Sequence, residues 1–389
     1  MSTQAIVFIL CVLLIGYAYV GYPLLAWLMA RLAGDPIHPT ETPSREVSIV
    51  IAAFNESANI GRRCRELLTY LDHLDRGSEI IIVSDGSTDD TDRVASAIGD
   101  PRIRVIRQSR NMGKAMALNV GVAAAVNPII VFADVRQTWA PDAIDRMLEN
   151  FADPDVGAVS GDLALRHGDG SLAGVGLYWK LEKWIRWNES RTNSSVGVTG
   201  AISAVRHELF EPLPPDTILD DLCWPSSVTM AGYRVIHEPR ACAYDCLPDR
   251  RRDEIRRKIR TLSGNLQLLM MRPCLIVPWR NPVWFGFISH KLLRLVVPWA
   301  MIAALVCTAM SDQLWLCVML VIQVGVYALG LAAILWKPLA AGRIANAVAS
   351  LLILNIAALF AWWVFLSGNC GTSWKKVAYN PTEADAAAG

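Results

Sequence analysis

Four uncharged apolar runs flank a middle segment of alternating pattern. Ala5 to Ala30 carries no charge over 26 positions, long enough to cross a hydrocarbon core of about 30 Å. Gln313–Trp336 and Ile344–Trp374 are likewise uncharged, and Leu295–Met310 offers 16 residues between Arg294 and Asp312. That last run spans a bilayer if Arg294 snorkels or if its helix continues toward Pro282. Between the runs, β-branched stretches alternate with helical patterns. Val47–Ala53 reads as a strand, Glu56–Tyr70 as a helix and Glu79–Ser84 as a strand. A helix near Asp89–Ile98, a strand at Ile103–Ile106, a helix near Gly113–Val126, a strand at Ile129–Ala133 and a helix opened by Pro141 follow. This βαβ rhythm predicts a doubly wound, Rossmann-type, mostly parallel sheet covered by helices. In such sheets ligands bind beyond the carboxyl ends of the strands.

Composition turns this pattern into a hybrid. The chain is 53% hydrophobic and 19% charged over 389 residues, too apolar for a soluble enzyme and too charged for a pure membrane bundle. A formal net charge of +1 lacks the basic surface a nucleic-acid binder needs. The nine cysteines are scattered, so neither a disulfide framework nor a zinc module is indicated, and Cys242-x3-Cys246 reads as ordinary thiols. The first apolar run is longer than a signal-peptide core and has no basic leader, so a retained anchor is expected. Arg31, Lys337 and Arg343 place the soluble portion on the cytoplasmic side by the positive-inside rule, whereas Lys375 and Lys376 pull the tail the same way against the count of spans.

The strand ends carry the candidate chemistry. No G-x-G-x-x-G follows the first strand, and Asn111–Lys114 lacks the spacing of a P-loop, so neither a dinucleotide site nor a P-loop is supported. The strand ends are acidic instead, with Asp85, Asp134 and later Asp220-Asp221. Carboxylates there can accept from a base or ribose, hold a divalent ion against a diphosphate, or take a proton from a hydroxyl. Trp179, Trp184 and Trp187 among Lys180, Lys183 and Arg186 fit a helix near lipid headgroups or a sugar groove, or one burying its tryptophans in the core. The basic run Arg250–Arg260 fits a solvated face beside anionic lipid, or a phosphate clamp.

Taken in order, these motifs resemble the family-two glycosyltransferases of the GT-A fold, in particular membrane-integrated synthases related to cellulose, hyaluronan and poly-N-acetylglucosamine synthases. The carriers are Ile51–Glu56 (IAAFNE), Val83–Thr91 (VSDGSTDDT), Asn111–Asn119 (NMGKAMALN), Asp134 within FADVR, Gly200-Ala201, and Leu219-Asp220-Asp221. The resemblance implies a transmembrane anchor over 1–33, a cytoplasmic GT-A domain over 45–272, an interfacial segment over 273–294, transmembrane helices over 295–369 and a tail over 370–389. It implies that Phe54 faces the nucleotide base, that Asp85 binds the uracil or ribose edge, and that Lys114 supplies positive charge beside the nucleotide. Glu56 and Arg257 join the donor-binding set. Asp134 would meet Mg2+ or Mn2+, Asp221 would be the general base with Asp220 raising its pKa, and Arg260 would clamp the diphosphate.

Two positions depart from the family pattern. Arg136 stands where the second Asp of D-x-D belongs, and the Q-x-x-R-W box appears as Arg257–Thr261, keeping only Arg260. The expected activity is inverting transfer from a nucleotide sugar, UDP-linked, onto a growing β-linked polysaccharide at the inner membrane, with export along the C-terminal helices. Single-sugar transfer to a polyprenyl-phosphate or other lipid acceptor is the alternative within enzymes, and a non-catalytic membrane subunit the alternative outside them.

Overall fold

A computed structural model describes residues 1–166, 177–246, 251–340 and 342–368; the tail from 370, with Lys375 and Lys376, lies outside them. Eight strands form one sheet: β1 (Val47–Ala53), β2 (Glu79–Ser84), β3 (Ile103–Arg107), β4 (Ile129–Ala133), β5 (Thr138–Trp139), β6 (Val156–Arg166), β7 (Ile202–Arg206) and β8 (Arg234–Cys246), in the order β3-β2-β1-β4-β7-β6-β8-β5. β1 is buried along its whole length, as a strand covered on both faces must be. Val47, Ile49 and Ile51 pack with Ile60, Cys64 and Leu67 of helix Ser57–Leu71. Val50 and Ala52 point the other way, onto Ala115, Leu118 and Val122 of helix Lys114–Ala124. The period-two alternation of one strand thus divides the interior into two layers.

The expected parallel rhythm holds from β1 to β4 and changes afterwards. β7 runs antiparallel between β4 and β6, and β5 is antiparallel to β8, while β6 and β8 are parallel. β7 enters after helix Leu177–Thr192, which packs both on the first membrane helix and on β8. Its tryptophans divide accordingly. Trp179 joins the sheet core and Trp184 packs with Tyr17, Tyr22 and Ala26, while Trp187 is exposed with Arg191 stacked on it.

Among the described residues four helices are long and apolar enough to cross a membrane: Thr3–Leu32, Trp284–Ala309, Leu314–Leu335 and Arg343–Leu366. The second extends back past Arg294 to Trp284, so the short run found in the sequence is the end of a 26-residue helix. The helices meet through small residues. Ala5 packs with Ala304, Ala333 with Ala345 and Ala349, and Leu295 with Ala357, Ala358 and Ala361, the close-approach packing expected where lipid removes the hydrophobic drive.

Candidate functional site

The strand register brings the sequence motifs to one edge. Ala53 pairs with Ser84 and Ile51 with Ala133, so Phe54, Asp85 and Asp134 emerge at the same end of neighbouring strands. The Asp85–Thr91 segment closes this edge by capping helix Ser57–Leu71. Glu56 donates its N–H to Thr91 Oγ1 (2.8 Å), Ser57 to Asp89 (3.2 Å), and Thr88 to Asn55 Oδ1 (2.8 Å). Gly86 turns the chain at φ 65°, with the Arg110 backbone where a Cβ would stand, a position only glycine fills. The Glu56 carboxylate accepts from Asn59 Nδ2 at 2.9 Å.

Asp85 is fully buried, and its two oxygens accept the N–H groups of Met112 (2.7 Å) and Gly113 (2.8 Å). In this structure it holds the loop that begins helix Lys114–Ala124, and so aims Lys114. The ammonium of Lys114 lies 3.0 Å from Asp134 Oδ1 and 3.2 Å from Asp220 Oδ2. Gly200 is beside it, since a Cβ there would stand 3.3 Å from Nζ. Four separate motifs therefore meet at one lysine. Burial works against the charge of Lys114, but Asp134 and then Asp220 outweigh it and hold the ammonium above its ordinary range.

Asp220 and Asp221 open helix Asp220–Met230. Burial first, and then the charge of Asp220, push the Asp221 carboxyl up to about 6, with Lys114, Arg186 and Lys291 opposing. Asp221 forms no ion pair among the described residues, and its carbonyl accepts from Val198 N–H at 2.9 Å. A carboxylate of this kind suits proton acceptance near neutral pH.

The remaining expected residues are placed as follows. Arg257 and Arg260 lie on helix Arg251–Met271, with both side chains exposed. That helix passes behind the Asp220-Asp221 turn, where Gln267 accepts from Ile218 N–H (3.0 Å) and Gly264 closes on Leu219. Neither arginine touches Lys114, Asp134 or Asp220 among the described residues. Arg136 pairs with Asp245 of β8 at 3.7 Å, and Gln137 Nε2 donates to the same carboxylate at 3.0 Å. Among the described residues no three His, Cys, Asp or Glu side chains gather as a metal cage, and the cysteines described are free thiols.

The loop carrying Asp134 is held by residues the motif reading passed over. Arg63 Nε donates to the Asp134 carbonyl (3.2 Å) and Arg62 to that of Arg136 (2.9 Å). Arg63 is fully buried, 4.3 Å from the centre of the Trp139 ring, whose own N–H donates to the Ala201 carbonyl at 3.1 Å. Its signal in the sequence was a charge on the apolar face of helix Ser57–Leu71, between Ile60 and Cys64.

Comparison with known proteins fits this arrangement. Residues 48–213 match the profile described as Glycosyl transferase family 2. The poly-beta-1,6-N-acetyl-D-glucosamine synthase of Staphylococcus aureus strain COL is 25% identical over 231 residues, 58% of this chain and 55% of the relative. The synthase of the same name from Staphylococcus epidermidis is 24% identical over 234 residues. The chain spans about half the length of the curated relatives it matches. A mannosyltransferase from Pyrobaculum calidifontis, solved in complex with GDP-Man and Mn2+, superposes over 92% of this chain and 99% of its own, with TM-score 0.68 and 24% identity. At that identity the likeness is one of fold, and it takes in the membrane helices as well as the sheet.

Proposed function

We propose that this chain, whose residues 48–213 match the glycosyl transferase family 2 profile, is a membrane-bound inverting glycosyltransferase. It takes the sugar of a nucleotide-sugar donor and passes it to a hydroxyl of a glycan acceptor at the membrane face. The observation that carries this reading is the division of labour between adjacent carboxylates: Asp220 is tied to Lys114, whereas Asp221 has no ion pair among the described residues and a carboxyl raised to about 6. Asp221 accepts the proton of the attacking hydroxyl. Attack from its side displaces the nucleoside diphosphate from the opposite face of the anomeric carbon, which inverts the configuration.

The donor lies over the strand ends, with Phe54 and Glu56 at the base side and Lys114 and Asp134 toward the phosphates. Asp134 has one oxygen on Lys114 and a side chain that is 31% exposed, which suits a Mg2+ or Mn2+ ion drawing its other ligands from diphosphate and water. Such an ion, when bound, neutralises charge on the leaving diphosphate. Mn2+ in the mannosyltransferase of the same fold supports a divalent cofactor. Asp85 acts through the 111–113 loop, and Arg260 reaches the diphosphate from its exposed helix if that helix closes over the donor.

The staphylococcal relatives favour elongation of a β-linked polysaccharide at the inner membrane, with the catalytic domain cytoplasmic. The packing of the four membrane helices favours a second reading, in which one sugar is added to a lipid-linked acceptor: alanine-lined helix contacts offer a glycan little polar surface on which to cross. Purified membranes supplied with labelled UDP- and GDP-sugars, followed by sizing of the product, test both. Polymer supports the first, a glycolipid the second, and no transfer from any donor overturns the assignment.

A further inference from the structure

A second polar cluster lies where the first two apolar helices meet helix Leu177–Thr192. Glu182 accepts from His290 Nε2 (2.7 Å), from Lys291 Nζ (3.0 Å) and from Arg294. Glu189, two turns along the same helix, accepts from His290 Nδ1 (2.9 Å) and from the Tyr22 hydroxyl (2.6 Å). His290, Lys291 and Arg294 belong to the early turns of membrane helix Trp284–Ala309, and Tyr22 to the first membrane helix. Both helices carry a π-helical turn at this level, Tyr17–Gly21 and Phe287–Leu292, bridged by Tyr17 Oη and Ser289 Oγ at 2.9 Å. Inserted turns of this type re-aim side chains and recur at functional sites.

The cluster sets two carboxylates against Lys291, Arg294 and Arg186, and it leaves both Arg186 Nε and Glu189 Oε2 buried without a hydrogen-bond partner. Glu182 answers both Lys291 and Arg294, and shares His290 with Glu189. Arg186 stands four residues after Glu182 and three before Glu189, on the same helix face. Yet Arg186 forms no ion pair among the described residues, and its Nε is buried with no hydrogen-bond partner. A half-buried guanidinium left in this state is costly unless an anion completes it, and a planar fork is the shape that grips phosphate oxygens. Arg186 and Lys291 both act electrostatically on Asp221. The segment Val196–Val198 links the two places: a Cβ on Gly286 would stand 3.1 Å from Val196, and Val198 N–H donates to the Asp221 carbonyl at 2.9 Å.

We propose that Arg186, with Lys291 and Arg294, forms a phosphate subsite that holds the phosphate of a lipid-carried sugar acceptor, so that the tail lies along the membrane helices and a sugar hydroxyl reaches Asp221. This rests on the lipid-acceptor reading above. It explains why a proton acceptor and a phosphate grip occur together, since the phosphate anchors the acceptor and the hydroxyl attacks.

The test uses the full chain in nanodiscs, with binding of farnesyl phosphate, farnesol, inorganic phosphate and UDP measured by calorimetry for the wild type, Arg186→Gln and Arg186→Lys. Farnesyl phosphate should bind the wild type and farnesol should not. Arg186→Gln should weaken farnesyl phosphate by about tenfold or more, with Arg186→Lys recovering part of the loss, and UDP affinity should be unchanged, which also reports an intact fold. Equal binding of farnesyl phosphate by wild type and Arg186→Gln overturns the subsite. Inorganic phosphate binding as tightly as farnesyl phosphate overturns the lipid source. Loss of UDP together with farnesyl phosphate, in an Arg186→Gln variant whose Tm matches the wild type, assigns the guanidinium to the donor and overturns the proposal. Arg186-dependent binding of farnesyl phosphate in a protein that transfers no sugar would leave the subsite standing while the glycosyltransferase reading falls.

Discussion

Asp220 and Asp221 are consecutive, yet only Asp220 reaches Lys114, at 3.2 Å, while Asp221 forms no ion pair among the described residues. One carboxylate is held in an ion pair, and the other is left to burial and to its neighbour's charge, which raise it to about 6.

Asp221→Asn should therefore reduce transfer by about 10²–10⁴-fold, the range for removing a proton acceptor, while calorimetry still detects nucleotide binding. In the wild type kcat/KM should fall as pH drops below about 6, where the base becomes protonated. Asp220→Asn removes a charge that raises Asp221, so the acidic limb should move to lower pH; an unmoved limb would show that Asp221 is not the group being titrated. Stability follows with the opposite sense. A carboxyl whose folded pKa is raised stabilises the fold fully only below its unfolded value, and that contribution is lost as pH rises through about 6. Asp221→Asn should accordingly raise Tm at pH 7.5 relative to wild type and leave it little changed at pH 4.

Asp134 contributes one carboxylate to the phosphate region and shares it with Lys114. Asp134→Asn should raise the concentration of Mg2+ or Mn2+ needed for half-maximal transfer. Excess chelator should stop the reaction in the wild type, and full activity in its presence would remove the metal from the mechanism.

Arg136 and Asp245 are 3.7 Å apart, with the aspartate nearly buried. Arg136→Asp should lower Tm by placing like charges together, and the exchange Arg136→Asp with Asp245→Arg should recover part of the loss. A double-mutant cycle should return a coupling of about 0.5–1 kcal/mol. Zero coupling, with altered metal dependence in Arg136→Asp alone, would instead assign the guanidinium to the missing carboxylate's place in the site.

Arg260 is exposed and makes no ion pair among the described residues, one turn before the glycine that meets Leu219. If it closes on the diphosphate, Arg260→Lys should raise the donor KM several-fold, because an ammonium cannot grip two oxygens in a plane. An unchanged donor KM in both Arg257→Lys and Arg260→Lys would indicate a solvated helix face.

The order of elements from Val47 to Ala133 is legible in the sequence because its signals are local: a strand buried on both faces must be continuously apolar, and an amphipathic helix must repeat its apolar positions every three or four residues. The same holds for the four membrane helices and for the acidic strand ends. Helix Leu177–Thr192 takes a distant partner, the first membrane helix, and the antiparallel entry of β7 between β4 and β6 is a long-range pairing that its own sequence does not signal.

The site shows the same division. The chain alone supplies Asp85, Lys114, Asp134, Asp220 and Asp221 as candidates, since each sits in a recognisable motif at an element boundary. Only tertiary structure commits Asp85 to the amides of Met112 and Gly113, gives Lys114 to Asp134 and Asp220, turns Arg136 toward Asp245, and brings Arg63 beneath Asp134. It also gathers Glu182, Glu189 and His290 from segments about a hundred residues apart. Motif and periodicity report which groups are available. Protonation and pairing depend on distances of a few ångströms between groups remote in the chain, because electrostatic energy is decided by separation and burial rather than by position in sequence.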